Sequence, residues 1–262
     1  MAQVVAKEIA PIQVTNDVSY SAVAERCKLD VYAPVGAKDL PCVVWFHGGG
    51  LTGGDKSGKA TVAVCRAMVA EGWVVAAVNY RLSPASKYPA YIEDAAASVA
   101  WALKNAAQYG GNPQRVFVAG HSAGGYLAAM VVLDERYLSA HGASPDQLAG
   151  AIPIAGQMMT HYTIREERGL PKTTIIADEA APINHVRAKT PPLLVLYAEN
   201  DMALRGDENR YFAAALIEAG NKNVMLREIA GHDHGGIGDR ISEPDSPVRK
   251  LMTEFVRSAG AK

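Results

Sequence analysis

Ser122 stands between glycines in Gly120-His121-Ser122-Ala123-Gly124, directly after the apolar run Val116 to Ala119 and before the helix-forming stretch Gly125 to Leu133. A GxSxG match arises often by chance, but between a strand and a helix it describes a tight, strained turn that lifts the serine oxygen clear of the backbone. Glycine is needed on either side because a side chain there would collide with the adjoining strand or helix. The helix that starts at this turn points free amides and its positive dipole end toward the serine. Ser122 is the candidate nucleophile.

A second run, His47-Gly48-Gly49-Gly50, closes the apolar stretch Pro41 to Phe46. Polyglycine lets backbone amides face outward at close range, which is what the oxyanion of a tetrahedral intermediate requires. By itself such a loop could equally cradle phosphate. The nearest phosphate-loop ending, Gly53-Gly54-Asp55-Lys56-Ser57, lacks the GxxxxGK[ST] spacing, and Asp55 would repel a phosphate. Paired with the serine turn, the glycine run reads as an oxyanion donor.

A serine hydroxyl is a weak nucleophile. It needs a base, and the base needs a carboxylate to fix its tautomer. The chain order expected of this arrangement is serine, acid, histidine. Asp201 follows the apolar run Leu193 to Tyr197 within Ala198-Glu199-Asn200-Asp201, a few residues beyond a strand. It is preferred over Glu199 and over Asp207, which already enters a helical pattern. The base must come from Ala230-Gly231-His232-Asp233-His234-Gly235-Gly236, after the apolar segment Val224 to Ile229, and the residues alone leave His232 and His234 open. Two histidines at i, i+2 with no third ligand cluster and no paired cysteines do not make a metal site, so neither metal nor cofactor is expected. His121, His141, His161 and His185 read as structural or surface residues, and Met158, Met159 and Tyr162 as either pocket lining or exposed linker.

The elements that must position these residues are short apolar runs, Val43 to Phe46, Trp73 to Val78, Val116 to Ala119, Ala149 to Ala155 and Leu193 to Tyr197, preceded by an alternating strand at Arg26 to Tyr32. Between them lie helical patterns: Ile92, Ala95, Ala96, Val99 and Leu103 at three- and four-residue spacing, and the alanine-rich stretches Thr61 to Ala70 and Glu208 to Ala219. Alternating strand and helix predicts a mostly parallel sheet with helices on both faces, whose ligands collect at the carboxyl ends of the strands. Residues 157–192 are polar and poor in strand signals. A connection that long reads as a small cap inserted into a single domain.

The composition sets limits. The 262 residues are 49% hydrophobic and 20% charged, enough to bury a full core. With 26 basic against 27 acidic residues and no basic stripe, nucleic acid and anionic membranes are not expected partners. The longest apolar run, Tyr126 to Leu133, falls far short of the roughly 20 residues that cross a bilayer. Residues 1–16 show no leader pattern, and Cys27, Cys42 and Cys65 read as buried free thiols, so a cytoplasmic, reducing setting is the expectation.

Taken together, these pieces resemble the α/β-hydrolase fold, specifically the esterases related to hormone-sensitive lipase and to bifunctional acetylxylan and feruloyl esterases. The resemblance runs from about Asp30 to Phe255. It is carried by His47-Gly48-Gly49-Gly50, Asn79-Tyr80-Arg81-Leu82-Ser83-Pro84, Tyr88-Pro89-Ala90 with Glu93-Asp94-Ala95, Tyr109-Gly110-Gly111-Asn112-Pro113 with Arg115, and Ser122-Ala123-Gly124-Gly125. It implies a central sheet of about eight strands with the cap following the sixth. It also implies Ser122 as nucleophile, Asp201 as acid, His234 rather than His232 as base, and the amides of Gly49, Gly50 and Ala123 as the oxyanion hole. Where relatives often carry an aromatic residue after the glycine run this chain has Leu51, and Asn79 and Asn112 stand where aspartate is frequent.

The implied activity is hydrolysis of small-molecule esters with short acyl groups, acetyl esters or aryl and feruloyl esters of carbohydrates among them, through an acyl-enzyme. Arylformamidases resemble this group and share the apparatus, so amide hydrolysis is the alternative. A non-catalytic binding module on the same fold would need a broken triad, and here every member is present. The resemblance also implies a relatively open site, covered mainly by residues 157–192.

Overall fold

The computed structural model describes residues 11–259. Eight strands form one sheet: β1 (Ile12–Ser19), β2 (Lys28–Pro34), β3 (Leu40–Phe46), β4 (Val74–Val78), β5 (Gly111–His121), β6 (Gly150–Ile154), β7 (Leu193–Asn200) and β8 (Val224–Asp233). Their order is β1-β2-β4-β3-β5-β6-β7-β8, with β1 and β2 antiparallel and every pair from β4 to β8 parallel. The helices are α1 (Lys59–Ala70), α2 (Ala90–Asn105), α3 (Ala123–Leu133), α4 (Glu135–Ser139), α5 (Tyr162–Glu167), α6 (Arg205–Glu218), α7 (Gly236–Asp239) and α8 (Pro247–Ala259).

The apolar runs become interior strands because both of their faces are covered. Cys42, Val44 and Phe46 of β3 point into one core with residues of α2, α3 and α6, whereas Val43 and Trp45 point into the other with residues of α1 and α8. That alternation is the two-residue period of a strand written in an unbroken hydrophobic run. Helix α3 is buried along all of its 11 residues, as an all-round apolar helix must be. It lies behind Ser122 as a fixed post.

The structure departs from the sequence expectations at element edges. A strand precedes the expected first one: β1 pairs with β2 but bulges between Thr15 and Val18, where Asn16 and Asp17 interrupt the alternation. Asp17 takes φ 55° and its amide donates to Asp30 Oδ1. Helix α6 starts at Arg205, earlier than its alanine-rich pattern, which brings Arg205 and Glu208 onto the rim of the site. The three cysteines are buried and free. Among the described residues no helix is long and apolar enough to cross a membrane. The leader-free reading of residues 1–16 falls, for residues 1–10, outside the described residues.

Candidate active site

Ser122 sits between the last residue of β5 and the first of α3 at φ 56°, ψ −116°, a conformation that costs a residue bearing a Cβ about 1–3 kcal/mol. Backbone hydrogen bonds hold it there: the Ser122 amide donates to the Ile154 carbonyl (2.8 Å), and its own carbonyl accepts from Tyr126 (3.0 Å). The flanking glycines are obligatory. A Cβ at Gly120 would stand 2.5 Å from the Gly124 backbone, and one at Gly124 only 2.0 Å from the Phe46 carbonyl oxygen.

Asp201 and His234 reach the serine through strand register. Asn200 at the end of β7 pairs with Asp233 at the end of β8, so the next residue of each strand emerges beside the other. His234 Nε2 lies 2.8 Å from Ser122 Oγ, and His234 Nδ1 lies 2.6 Å from Asp201 Oδ1. Burial alone would raise the Asp201 carboxyl, but hydrogen bonds from His234 and from the Met202 and Ala198 amides more than offset it. The group is held below the usual carboxylate range.

The alternatives point elsewhere. Glu199 accepts from the Gly231 amide, Asp207 pairs with Arg210 on the surface, and His232 turns its Nδ1 to the Ala230 carbonyl. His121 packs its ring 5.1 Å from that of His234, centroid to centroid, and its Nε2 lies 2.6 Å from the His234 carbonyl oxygen. Burial, with His234 alongside, pushes the His121 imidazole down to about 4, so at neutral pH it is an uncharged donor that fixes the loop carrying His234.

The glycine loop passes directly beside the serine: a Cβ on Gly48 would lie 3.5 Å from that of Ser122. Gly49 and Gly50 take φ 112° and 64°, values suited to glycine. The Tyr80 hydroxyl donates to the His47 carbonyl (2.7 Å) and its ring stacks on His47, anchoring the loop's start. Burial pushes His47 down to about 4. Among the described residues the Gly49, Gly50 and Ala123 amides meet no protein acceptor.

The family model described as BD-FAE matches residues 29–147. Esterase LipQ of Mycobacterium tuberculosis is 30% identical over 247 residues, covering 84% of this chain and 56% of LipQ. A thermophilic esterase of Thermogutta terrifontis, Est2, superposes with a TM-score of 0.74 at 25% identity, covering 97% of this chain and 93% of Est2. The chain has the α/β-hydrolase fold and is similar to esterases built on it. Kynurenine formamidase of Danio rerio is a further relative of this α/β-hydrolase, 27% identical over 254 residues and matched over 93% of this chain and 82% of its own length. The chain spans about half the length of the mycobacterial relatives LipQ and LipM.

Residues 157–192 wrap over the site through α5 and a short turn at Pro182–His185. They are tied down by side chains: the Thr163 hydroxyl donates to the Gly50 carbonyl, Tyr126 to the Ala180 carbonyl (2.8 Å), and the Tyr88 amide to Glu167 (2.9 Å). A Cβ on Gly50 would meet the Tyr162 hydroxyl at 2.0 Å, so this tyrosine closes the far side of the loop. Beyond it opens a cavity of about 430 Å³ whose wall includes Tyr162, Arg165, Lys172, Met202, Arg205 and Glu208. Neither Thr163 nor Arg205 stood out in the sequence. Each lies in a segment without a motif and is recruited only by tertiary contact.

Proposed function

We propose that this chain is a serine carboxylesterase for short-chain acyl esters of small molecules, acting through an acyl-enzyme. The observation that supports this most directly is the continuous relay from Ser122 Oγ through His234 to Asp201, at 2.8 and 2.6 Å. Ser122 attacks the carbonyl carbon while His234 takes its proton, and the Gly49, Gly50 and Ala123 amides hold the oxyanion. His234 then returns the proton to the leaving alcohol, and water repeats the sequence to free the acid and the serine. Asp201 holds the imidazole tautomer and stabilises the imidazolium. Residues 157–192 act as a small cap on a single hydrolase domain, and acetyl and aryl esters of carbohydrates are among the candidate substrates.

The test is release of nitrophenol from p-nitrophenyl acetate through decanoate by the wild type and Ser122→Ala. Activity on the short esters that falls about 10⁴-fold or more in the variant supports the reading. Absence of serine-dependent release on all of them overturns it. Hydrolysis of an aryl formamide is the second reading, favoured by the match to the fish kynurenine formamidase over most of both chains. Turnover of N-formylkynurenine well above that of p-nitrophenyl acetate would select it.

A further inference from the structure

Arg205 is a buried arginine that forms no ion pair among the described residues. The residue is 4% exposed, and the one protein acceptor of its guanidinium among the described residues is the Ala155 carbonyl, 2.7 Å from Nη1. Buried cations are ordinarily paired, because the loss of hydration otherwise goes uncompensated. The two nearby acids direct their hydrogen bonds elsewhere, Asp201 to His234 and two amides, Glu208 to the Met158 amide and the Gln157 side chain, so they act on Arg205 only through space. Burial lowers the Arg205 guanidinium below its ordinary range, and Glu208 and Asp201 offset this only in part.

The remainder of the cavity wall points the same way. Arg165 is also buried without a carboxylate, but its guanidinium is used structurally, donating to the Lys172 and Thr174 carbonyls. Lys172 stands at the rim beside the Tyr162 ring, with Glu166 at 3.4 Å. Three cations thus line the space against one carboxylate, Glu208, and the rim adds exposed apolar side chains, Ile175, Met202 and Leu204. The cavity adjoins the chemistry, since Tyr162 borders both it and Gly50, and Met202 follows Asp201 in the chain.

We propose that this cavity receives a carboxylate carried by the substrate, with the Arg205 guanidinium as its counter-ion and the apolar rim covering the substrate's hydrocarbon or aromatic body. The proposal rests on the ester-hydrolase reading and narrows it to anionic esters, with the charge on either the acyl or the alcohol portion.

Matched carboxylate and carboxamide esters test it. Monoethyl glutarate against its half-amide places the charge on the acyl side, and para-acetoxybenzoate against para-acetoxybenzamide places it on the alcohol side. In the unaltered enzyme at least one carboxylate ester should exceed its amide in kcat/KM by about 10- to 100-fold, the range of a charge-assisted contact. That ratio should fall toward one in Arg205→Gln, which keeps a donor for Ala155, and be largely retained in Arg205→Lys, which keeps the charge. The ratio is the readout, so a general loss of turnover does not mimic the effect. Benzoate inhibiting p-nitrophenyl acetate hydrolysis at concentrations at least tenfold below benzamide would support the same conclusion without any variant. Serine-dependent turnover with no carboxylate preference in either pair, or a preference that survives Arg205→Gln, overturns this proposal alone. No serine-dependent turnover of any of these esters overturns the ester-hydrolase reading and this proposal with it.

Discussion

The turn around Ser122 is held by backbone, whereas the wall contributed by residues 157–192 is held by side chains. In the turn, glycines let β5, α3 and β3 approach until no methyl group fits, and the strained Ser122 is fixed by backbone hydrogen bonds to β6 and α3, both buried. In the wall, the contacts are hydroxyls, carboxylates and guanidinium groups reaching across loops, such as Thr163 to Gly50 and Arg168 to Asp178 and Glu179. The difference separates two requirements. Chemistry needs a geometry that does not relax, and close-packed backbone supplies it. Selection of substrate needs a surface that sequence change can alter without unfolding the sheet, and side-chain straps over a loop supply that.

The sharpest way to break this comparison is to add one carbon to the turn. Gly124→Ala would place a methyl group 2.0 Å from the Phe46 carbonyl oxygen, a backbone atom at the carboxyl end of the buried strand β3. The expected outcome is a loss of about 4 kcal/mol or more, or failure to fold, read by urea unfolding. A variant as stable as the wild type would mean that the strand and helix yield, and the contrast with the wall would fail. Gly50→Ala comes next, because φ 64° and the Tyr162 hydroxyl both oppose a side chain at a residue whose amide is proposed to hold the oxyanion. Turnover should drop about 10²- to 10³-fold, the cost of one oxyanion donor, with the protein still folded.

Acid should weaken both regions, because each buries a neutral imidazole. His47 and His121 belong to the backbone-held side and are pushed down to about 4, while His161 in the wall is pushed well below its ordinary value, all three chiefly by burial. The folded pKa of each lies below the unfolded one, so the unfolded chain binds protons first as pH falls. The stability present above pH 6.5 or so is therefore lost between there and about 4, by about 3 kcal/mol each for His47 and His121. Below that window Asp201, whose folded carboxyl is also held low, adds a loss of the same sign. Urea midpoints measured between about pH 7.5 and 4.5 check this, and a flat profile would contradict it.

The same contrast explains what could be read from the chain. The interior strands, α3 and the loop positions of Ser122, Asp201 and His234 were legible because backbone constraints leave local marks: continuous apolar runs, paired glycines, polar residues just past a strand. The choice between His232 and His234 needed family resemblance, since both lie beyond the apolar segment, and only the structure shows His232 as the penultimate residue of β8 and His234 as the first residue past it. Strand β1 was missed because Asn16 and Asp17 sit in its bulge. Arg205 gave no signal, because its significance lies in which partners it lacks, and a sequence does not display absent neighbours.

The smallest expected effect belongs to the wall and is informative for that reason. Arg168, just past α5, ties two parts of the segment together, pairing with Asp178 and with Glu179 at 2.8 Å while its face lies over the Tyr88 ring. All three charged groups are a quarter or more exposed, so water competes for each of them and the pairs contribute little. Arg168→Gln should therefore cost about 1 kcal/mol or less in urea unfolding. If the wall positions substrate, loosening this strap should raise KM severalfold while leaving kcat nearly unchanged, because the serine, histidine and oxyanion donors stand on the sheet. A fall in kcat as large as that of Gly50→Ala would mean that the wall holds the reacting groups as well, and that the two regions are not separate.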